Sequence, residues 1–100
     1  MALKTKPFDA AKHFTSKEAQ TRLLNDALTS SDAGYIAHAL GTIARARGMS
    51  QLADETGVSR AALYASFSEN GNPSLDTILK VTRALGLELQ ASAAAESALA

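Results

Sequence analysis

The sequence has no cysteine and no tryptophan, and it has only two prolines and five aromatic residues in 100. Without cysteine there is no disulfide framework, no thiolate nucleophile and no cysteine-based zinc site. No apolar stretch approaches the ~18 residues that a membrane span needs, and the N-terminus lacks the apolar segment of a signal peptide. We therefore expect a cytoplasmic protein that does not enter the membrane.

Net charge is also missing, since ten Lys and Arg balance ten Asp and Glu. This balance argues against a protein that coats nucleic acid or membranes through bulk charge, although a locally basic face is still allowed. The net charge of zero arises because charged segments cancel. The net charge is +3 over residues 1–17, −2 over 18–40, +1 over 41–83 and −2 over 84–100.

Groups suited to catalysis or metal binding are equally sparse. His13 and His38 are the only imidazoles, and their surroundings do not have the spacing of metal ligands. Asp9, Asp54 and Glu55 have no nucleophile or phosphate-binding loop near them in the sequence. We expect no enzyme, no cofactor and no metal, and we interpret these carboxylates as solvated helix surface.

Alanine and leucine at helical spacing are what the chain has in abundance. Alanine supplies 21 and leucine 13 of the 46 hydrophobic residues, a composition that favours helix. A chain of this length corresponds to one domain. We predict an all-α fold with an N-terminal arm over 1–14, partly pinned by Phe8 and Phe14, a helical domain over 15–90, and a flexible Ala/Ser-rich tail over 91–100.

Capping residues divide that domain into about five helices. The candidate N-caps are Thr15, forming a capping box with Glu18, and then Asp32, Ser50, Ser59 and Ser74. The predicted helices run over about 15–28, 33–47, 50–55, 59–67 and 75–85.

The C-terminal part of the domain yields two further expectations. The apolar side of the last helix is predicted to consist of Leu75, Ile78, Leu79, Thr82 and Leu85. Residues 87–90 alternate apolar and polar, which allows one short strand. Such a strand would need a symmetry-related partner, because the chain offers no second strand.

Residues 49–67 carry the sharpest signal, a pattern typical of a helix-turn-helix. Gly57 suits the turn because glycine tolerates positive φ, and Ala53 is the small residue where two short helices cross. The side chains expected to lock the second helix across the first are Leu52, Val58, Leu63 and Phe67, with Ala62 also facing inward. The residues alone therefore indicate DNA binding.

Residues 50–87 resemble the Xre/lambda-repressor-type helix-turn-helix domain. The two motif helices are followed by a polar loop that ends in Asn72-Pro73, and the next helix ends in Ala-Leu-Gly-Leu. The resemblance implies a lambda-repressor-like helical bundle.

The likeness is closer to the addiction-module antidote proteins. Phe8-Asp9 and the segment 36–50, which reads Ile-Ala-His-Ala-Leu-Gly-Thr-Ile-Ala-Arg-Ala-Arg-Gly-Met-Ser, fit that subfamily. The loop 68–74 and the run 77–87 extend the match.

This resemblance, which covers residues 8–90, implies a HigA-like antitoxin of a type II toxin-antitoxin pair. Such a protein is expected to neutralise a small RelE/ParE-like (HigB-like) toxin and to repress its own operon as a homodimer on double-stranded operator DNA. Residues 8–47 are then the expected toxin-facing surface. The alternatives are a stand-alone phage-type repressor without a toxin and a helical scaffold that has lost DNA binding.

The second motif helix is the expected recognition helix, whose first residues face base edges in the major groove. Its outward positions are Ser59, Arg60, Ala61 and Tyr64. Arg60 is the expected base reader, because a guanidinium can bond guanine O6 and N7 together. Ala61 would allow close approach or touch a thymine methyl, and Tyr64 would bond a phosphate or pack on the DNA backbone.

Gln51, Asn70 and Asn72 are the expected phosphate contacts, which set register rather than specificity, although the two asparagines equally suit a turn. Arg45 and Arg47 have two interpretations, as DNA contacts or as cations that favour a helix C-terminus. The small charge of the motif region predicts that two half-sites supply much of the affinity and that the salt dependence is shallow.

Overall fold

The computed structural model describes residues 13–68 and 70–94. Within them the chain forms helices and no strand, which confirms the predicted all-α class and is compatible with a small helix-turn-helix bundle. The five helices are α1 (Lys17–Ser30), α2 (Ala33–Arg47), α3 (Met49–Thr56), α4 (Arg60–Ser66) and α5 (Leu75–Ala84). None of the helices in this part of the chain is long and apolar enough to cross a bilayer.

Three of the predicted N-caps are confirmed. Asp32 accepts hydrogen bonds from the N–H groups of Gly34 and Tyr35, Ser59 accepts one from Ala62, and Ser74 accepts one from Thr77. Each oxygen satisfies a backbone donor that has no partner within its own helix. Local side-chain chemistry thus defines the starts of α2, α4 and α5.

The other two N-caps were predicted wrongly. At α1 the cap is Ser16, whose hydroxyl accepts from Ala19. With Ser16 as the cap, Glu18 stands one position too early for a capping box. At α3 the cap position is Gly48, with no side-chain hydrogen bond. Ser50 lies inside α3, because α2 and α3 are separated by Gly48 alone.

The core lies around α2. The largest fully buried side chains are Leu40, Ile43, Leu52, Leu63 and Val81, contributed by α2, α3, α4 and α5. Gly41 lies where α2 meets the end of α4, and a Cβ atom there would be 2.5 Å from the carbonyl oxygen of Phe67. A glycine in mid-helix therefore permits the close approach of these two elements.

α1 packs on α2 and is held there by a side-chain contact. The Tyr35 hydroxyl donates a hydrogen bond to the Asp26 carboxylate at 2.5 Å. This bond, together with partial desolvation and the carboxylate charge, raises the pKa of Tyr35 above its usual value. The side-chain amide of Gln20 donates to the carbonyl oxygen of Phe14, which attaches the residues before α1 to that helix.

α5 ends in a Schellman motif, in which Gly86 N–H bonds Arg83 O and Leu87 N–H bonds Thr82 O. Two cations from other helices take the neighbouring carbonyls. Lys17 Nζ donates to Leu85 O at 2.5 Å, and an Arg47 nitrogen donates to Ala84 O at 2.7 Å. α1, α2 and α5 therefore meet at this junction.

The predicted apolar side of α5 is partly wrong. Thr82 and Leu85 are buried and Ile78 is half-buried, but Leu75 is 66% exposed and Leu79 is 48% exposed. The buried side of α5 is instead centred near Val81 and Thr82. This is the side that packs against α3 and the core.

Residues 87–90 form no strand within this chain, and the pairing of such a strand with a symmetry-related copy stays a prediction. Leu87 and Leu89 pack against the core, while Glu88 and Gln90 are exposed. The alternation therefore reflects an irregular segment that lies on the helical core. Residues 91–94 are exposed and lack regular structure. The rest of the predicted tail, and most of the predicted arm with Phe8, lie outside the described residues.

Candidate nucleic-acid interface

The α3–α4 pair is connected by a short turn. Gly57 ends α3 with φ 77°, and its N–H bonds Ala53 O at 2.9 Å, so the turn needs a residue that tolerates the left-handed region. The Thr56 hydroxyl supports the same turn, donating to Leu52 O at 2.8 Å and accepting from Val58 N–H at 3.2 Å. This role of Thr56 was missed in the sequence.

α4 is anchored through one side only. Leu63 and Phe67 are buried, four positions apart, and join the core with Leu52. Ala62 was expected to face inward as well, but it is exposed. The seven-residue helix has one buried stripe through Leu63 and Phe67, and Ala62 lies about 100° away from Leu63 around the axis.

The opposite side of α4 presents the residues expected to read DNA. Arg60, Ala61 and Tyr64 are all exposed. The Arg60 guanidinium carbon lies 5.9 Å from the centroid of the Tyr64 ring, within the range of a cation–π contact. Within residues 13–68 and 70–94, Arg60 makes no hydrogen bond or ion pair, so its donors are available to a ligand. We call Arg60, Ala61 and Tyr64 the outer α4 face.

The remaining candidates lie around this face. Gln51 is exposed in α3, and Asn70 and Asn72 are exposed in the loop after α4. No hydrogen bond joins any of these three to Arg60 in the described part of the chain. The Ser59 hydroxyl caps α4, so its oxygen is already occupied as an acceptor while its proton can still be donated.

Arg47 makes bonds within the protein that neither of its two interpretations predicted. Besides Ala84 O, its guanidinium bonds both carboxylate oxygens of Glu55, at 2.6 and 2.7 Å. It therefore ties α2, α3 and α5 together, and these bonds would have to break before its guanidinium could reach DNA. Opposite charges eight positions apart, on either side of the break at Gly48, are the signal that could have revealed the pair. Arg45 is exposed, and among the residues that the structure describes its guanidinium makes only a long 3.5 Å contact to the Thr42 hydroxyl.

The interface contains no arrangement suited to catalysis on a bound metal. In the described residues no group of three or more His, Asp or Glu side chains lies close enough to hold a metal ion. The chemistry available is that of a guanidinium, a phenol, amides and hydroxyls, which donate hydrogen bonds to phosphates and to base edges.

The chain is similar to a known protein family and to a bacterial relative. The sequence model of the family described as "Probable addiction module antidote protein" matches residues 4–93. An uncharacterized protein of Haemophilus influenzae (strain ATCC 51907 / DSM 11121 / KW20 / Rd) is 46% identical over 90 residues, which are 90% of this chain and 93% of that protein. No solved structure matches the chain significantly.

Proposed function

The chain belongs to the family of probable addiction module antidote proteins, and from this premise we propose that it is an antitoxin that also represses its own operon. It binds double-stranded operator DNA through α3 and α4 as a homodimer. It neutralises a small RelE/ParE-like (HigB-like) toxin, and it acts by binding rather than by catalysis.

The observation that carries the DNA-binding part is the state of Arg60. It is the first residue of α4, directly after the Ser59 cap, and its side chain is exposed with the Tyr64 ring beside it. The neighbouring side chains at positions 61, 62 and 65 are alanines, all exposed. Small neighbours let a helix lie deep in the major groove, where a guanidinium can reach a guanine.

The low net charge of the DNA-binding segment supports a mechanism in which two subunits bind the operator together. The segment 41–83, which contains the whole interface, carries only +1, and one of its arginines, Arg47, is neutralised by Glu55. Few cations per subunit are left for phosphates, so one subunit alone binds weakly. Two half-sites on an inverted repeat then supply the affinity.

The toxin-binding part is assigned to the helices before the motif. α1 packs against α2, and its outward side presents Glu18, Arg22, Asn25 and Leu28, all exposed. These side chains are not needed to hold α4 in place. The chain thus offers separate surfaces for a protein and for DNA.

The DNA-binding part is tested by fluorescence anisotropy on the DNA upstream of the gene, with a scrambled duplex as the control. We expect specific binding. Because few phosphates are contacted, a plot of the logarithm of the association constant against the logarithm of the salt concentration should have a slope shallower than about −5. A slope near −10 contradicts the mechanism. No binding at low salt and dimer-forming concentrations favours a protein scaffold instead.

The toxin part is tested by co-expression with the product of an adjacent small basic gene. We expect that product to arrest growth alone, and we expect co-expression of this chain to restore growth and to yield a co-purifying complex. Specific DNA binding without such a toxin would contradict the antitoxin proposal and would support the alternative, a stand-alone phage-type repressor.

A further inference from the structure

A second row of polar side chains lies beyond the outer α4 face, in the loop between α4 and α5. Asn70 and Asn72 are exposed there, and neither side chain makes a hydrogen bond to any residue that the structure describes. Their amide N–H groups can donate to phosphate oxygens. α4 is about 10 Å long, while the major groove is about 12 Å wide. When Arg60 reaches the base edges, the loop therefore lies near the phosphates at the border of the groove.

The backbone of Gly71 lies directly against the C-terminal end of α4. A Cβ atom at this position would overlap the carbonyl oxygens of Ala65 and Ser66. The φ angle of Gly71 is not in the left-handed region, so an alanine would meet no backbone strain there. This position therefore needs glycine because it leaves no space for a side chain.

The end of α4 is itself fixed by the core. Phe67 is buried, and its carbonyl oxygen lies 2.5 Å from where a Cβ atom of Gly41 in α2 would be. This close packing leaves the end of α4 little room to shift. A side chain added at position 71 must therefore displace the loop rather than the helix.

The loop between α4 and α5 is short and is held on both sides of Gly71. The Ser68 hydroxyl donates to a carbonyl of α4 at 3.0 Å, and the Ser74 hydroxyl caps α5. Pro73 restricts its own backbone and that of Asn72 before it. Because the loop has so little freedom, a displacement at Gly71 is passed on to the asparagines beside it.

We propose that Gly71 is a positioning residue of the DNA interface. Its backbone contact with α4 holds the loop so that the amides of Asn70 and Asn72 donate hydrogen bonds to phosphate oxygens. Such contacts fix the register of α4 in the groove but carry no sequence information themselves. The inference rests on the proposed DNA binding, to which it adds a residue that has no side chain of its own.

The first test compares Gly71→Ala with the parent chain by fluorescence anisotropy, on the operator and on the scrambled duplex. Losing two neutral hydrogen bonds to phosphates should raise the dissociation constant about tenfold on both duplexes. The slope against salt should stay the same, because the amides carry no charge. This pattern differs from the loss of a base contact, which would affect the operator alone.

Gly86→Ala is the matched control for Gly71→Ala. It adds the same methyl group to a glycine at the end of α5, where φ is 75°, so it should lower the urea midpoint through backbone strain. Both DNA affinities should stay at the parent values, because Gly86 is not part of the interface. An unchanged affinity in Gly71→Ala, a loss confined to the operator, or an equal loss in Gly86→Ala overturns the proposal.

The second test removes the two asparagines that Gly71 is proposed to position. The variant Asn70→Ala/Asn72→Ala should bind as weakly as Gly71→Ala, and adding Gly71→Ala to it should change the dissociation constant less than about twofold. A further tenfold loss overturns the proposal. Pro73→Ala loosens the same loop without added bulk, so it should weaken binding about two- to threefold. This variant keeps the proposal testable if Gly71→Ala does not fold, and parent-like affinity in it then counts against the proposal.

The contact between Gly71 and α4 is also tested without DNA, by crystal structures of the parent chain and of Gly71→Ala. We expect the backbone at Asn70 and Asn72 to move by about 1 Å, because non-bonded carbon atoms pack at about 3.5–4 Å, while α4 keeps its place on α2. An unmoved loop or a displaced α4 overturns the proposal. A displaced loop in a chain whose parent binds no DNA instead locates the failure in the proposed function.

Discussion

The junction at the end of α5 and the outer α4 face both display an arginine beside a helix terminus, and they use it in opposite ways. At the junction, Arg47 bonds Glu55 and Ala84 O while Lys17 bonds Leu85 O. On the outer α4 face, Arg60 touches the Tyr64 ring and no hydrogen-bond acceptor of the described residues. The first region has its polar groups satisfied by the fold, and the second keeps its donors for a ligand.

This difference separates a cation that stabilises the protein from one that we propose to serve DNA binding. A guanidinium with two protein partners at 2.6–2.7 Å would have to break those bonds to reach DNA. One that rests on an aromatic ring uses none of its N–H donors for that contact, so it can bond a base edge while it stays against the ring. Substitutions should therefore divide into those that change stability and those that change affinity.

The largest effect is expected from the layer beneath the outer α4 face. Leu63 is fully buried, so Leu63→Ala leaves a cavity and should lower the free energy of unfolding by about 2–5 kcal/mol. DNA binding should fall with it, because α4 loses its anchor. Urea unfolding measures the loss. Ala65→Ser, on the exposed side of the same helix, should cost about 0.5 kcal/mol or less, and a similar cost in both variants would contradict the anchoring role.

Arg60→Ala should change affinity without changing stability. Losing a bidentate contact to a base costs about 1–3 kcal/mol, so operator affinity should fall about 5- to 150-fold for each half-site. The free energy of unfolding should stay within about 0.5 kcal/mol of the parent value, and toxin neutralisation should remain intact. Arg22→Ala, an exposed arginine of α1, is the control for DNA binding. Loss of folding, or of both activities together, would contradict separate surfaces.

Arg47→Ala should show the reverse behaviour. The variant loses the bidentate pair with Glu55 and leaves Ala84 O without its donor, which should cost about 1–2 kcal/mol in the free energy of unfolding. Operator affinity should be unchanged at temperatures where the protein is folded. Glu55→Gln keeps a hydrogen-bond acceptor and the contact to Ala84 O, so it should cost less. Normal stability with a tenfold loss of affinity would make Arg47 a DNA contact after all.

The smallest expected effect concerns Tyr64. Tyr64→Leu removes the ring beneath the Arg60 guanidinium and should weaken operator binding about two- to fivefold, in proportion to an exposed cation–π contact of about 0.5–1 kcal/mol. Tyr64→Phe keeps the ring face and should bind like the parent. Anisotropy titrations on the same duplex compare the two. Equal losses would show that the hydroxyl bonds a phosphate, which is the other role predicted for Tyr64.

Much of the fold was predictable because its signals are local. Asp32, Ser59 and Ser74 cap helices through bonds to residues two or three positions ahead, and Gly57 ends α3 through its own backbone. The errors at Thr15 and Ser50 are also local, since adjacent hydroxyl and turn residues compete for one cap position. Periodicity identified Leu63 and Phe67 correctly, but it did not show that Ala62 is exposed.

The candidate site was less predictable where it depends on distant contacts. The sequence indicated the exposed outer positions of α4, but it left Arg47 undecided because Glu55 and Ala84 come to it only when α3 and α5 pack. The need for glycine at position 41 was not predicted from the sequence. It depends on the packing of α2 against the end of α4, which puts the carbonyl oxygen of Phe67 2.5 Å from where a Cβ atom would be.

The sequence by itself determined five helices, the turn at Gly57 and the likeness to antidote proteins, because capping, periodicity and motif spacing are properties of neighbouring residues. The tertiary structure alone decided that Arg47 holds the junction while Arg60 stays available. It also decided that Leu75 and Leu79 face solvent rather than the core. These outcomes depend on which sides of separate helices meet, and packing selects one contact for each side chain from several that its local pattern allows.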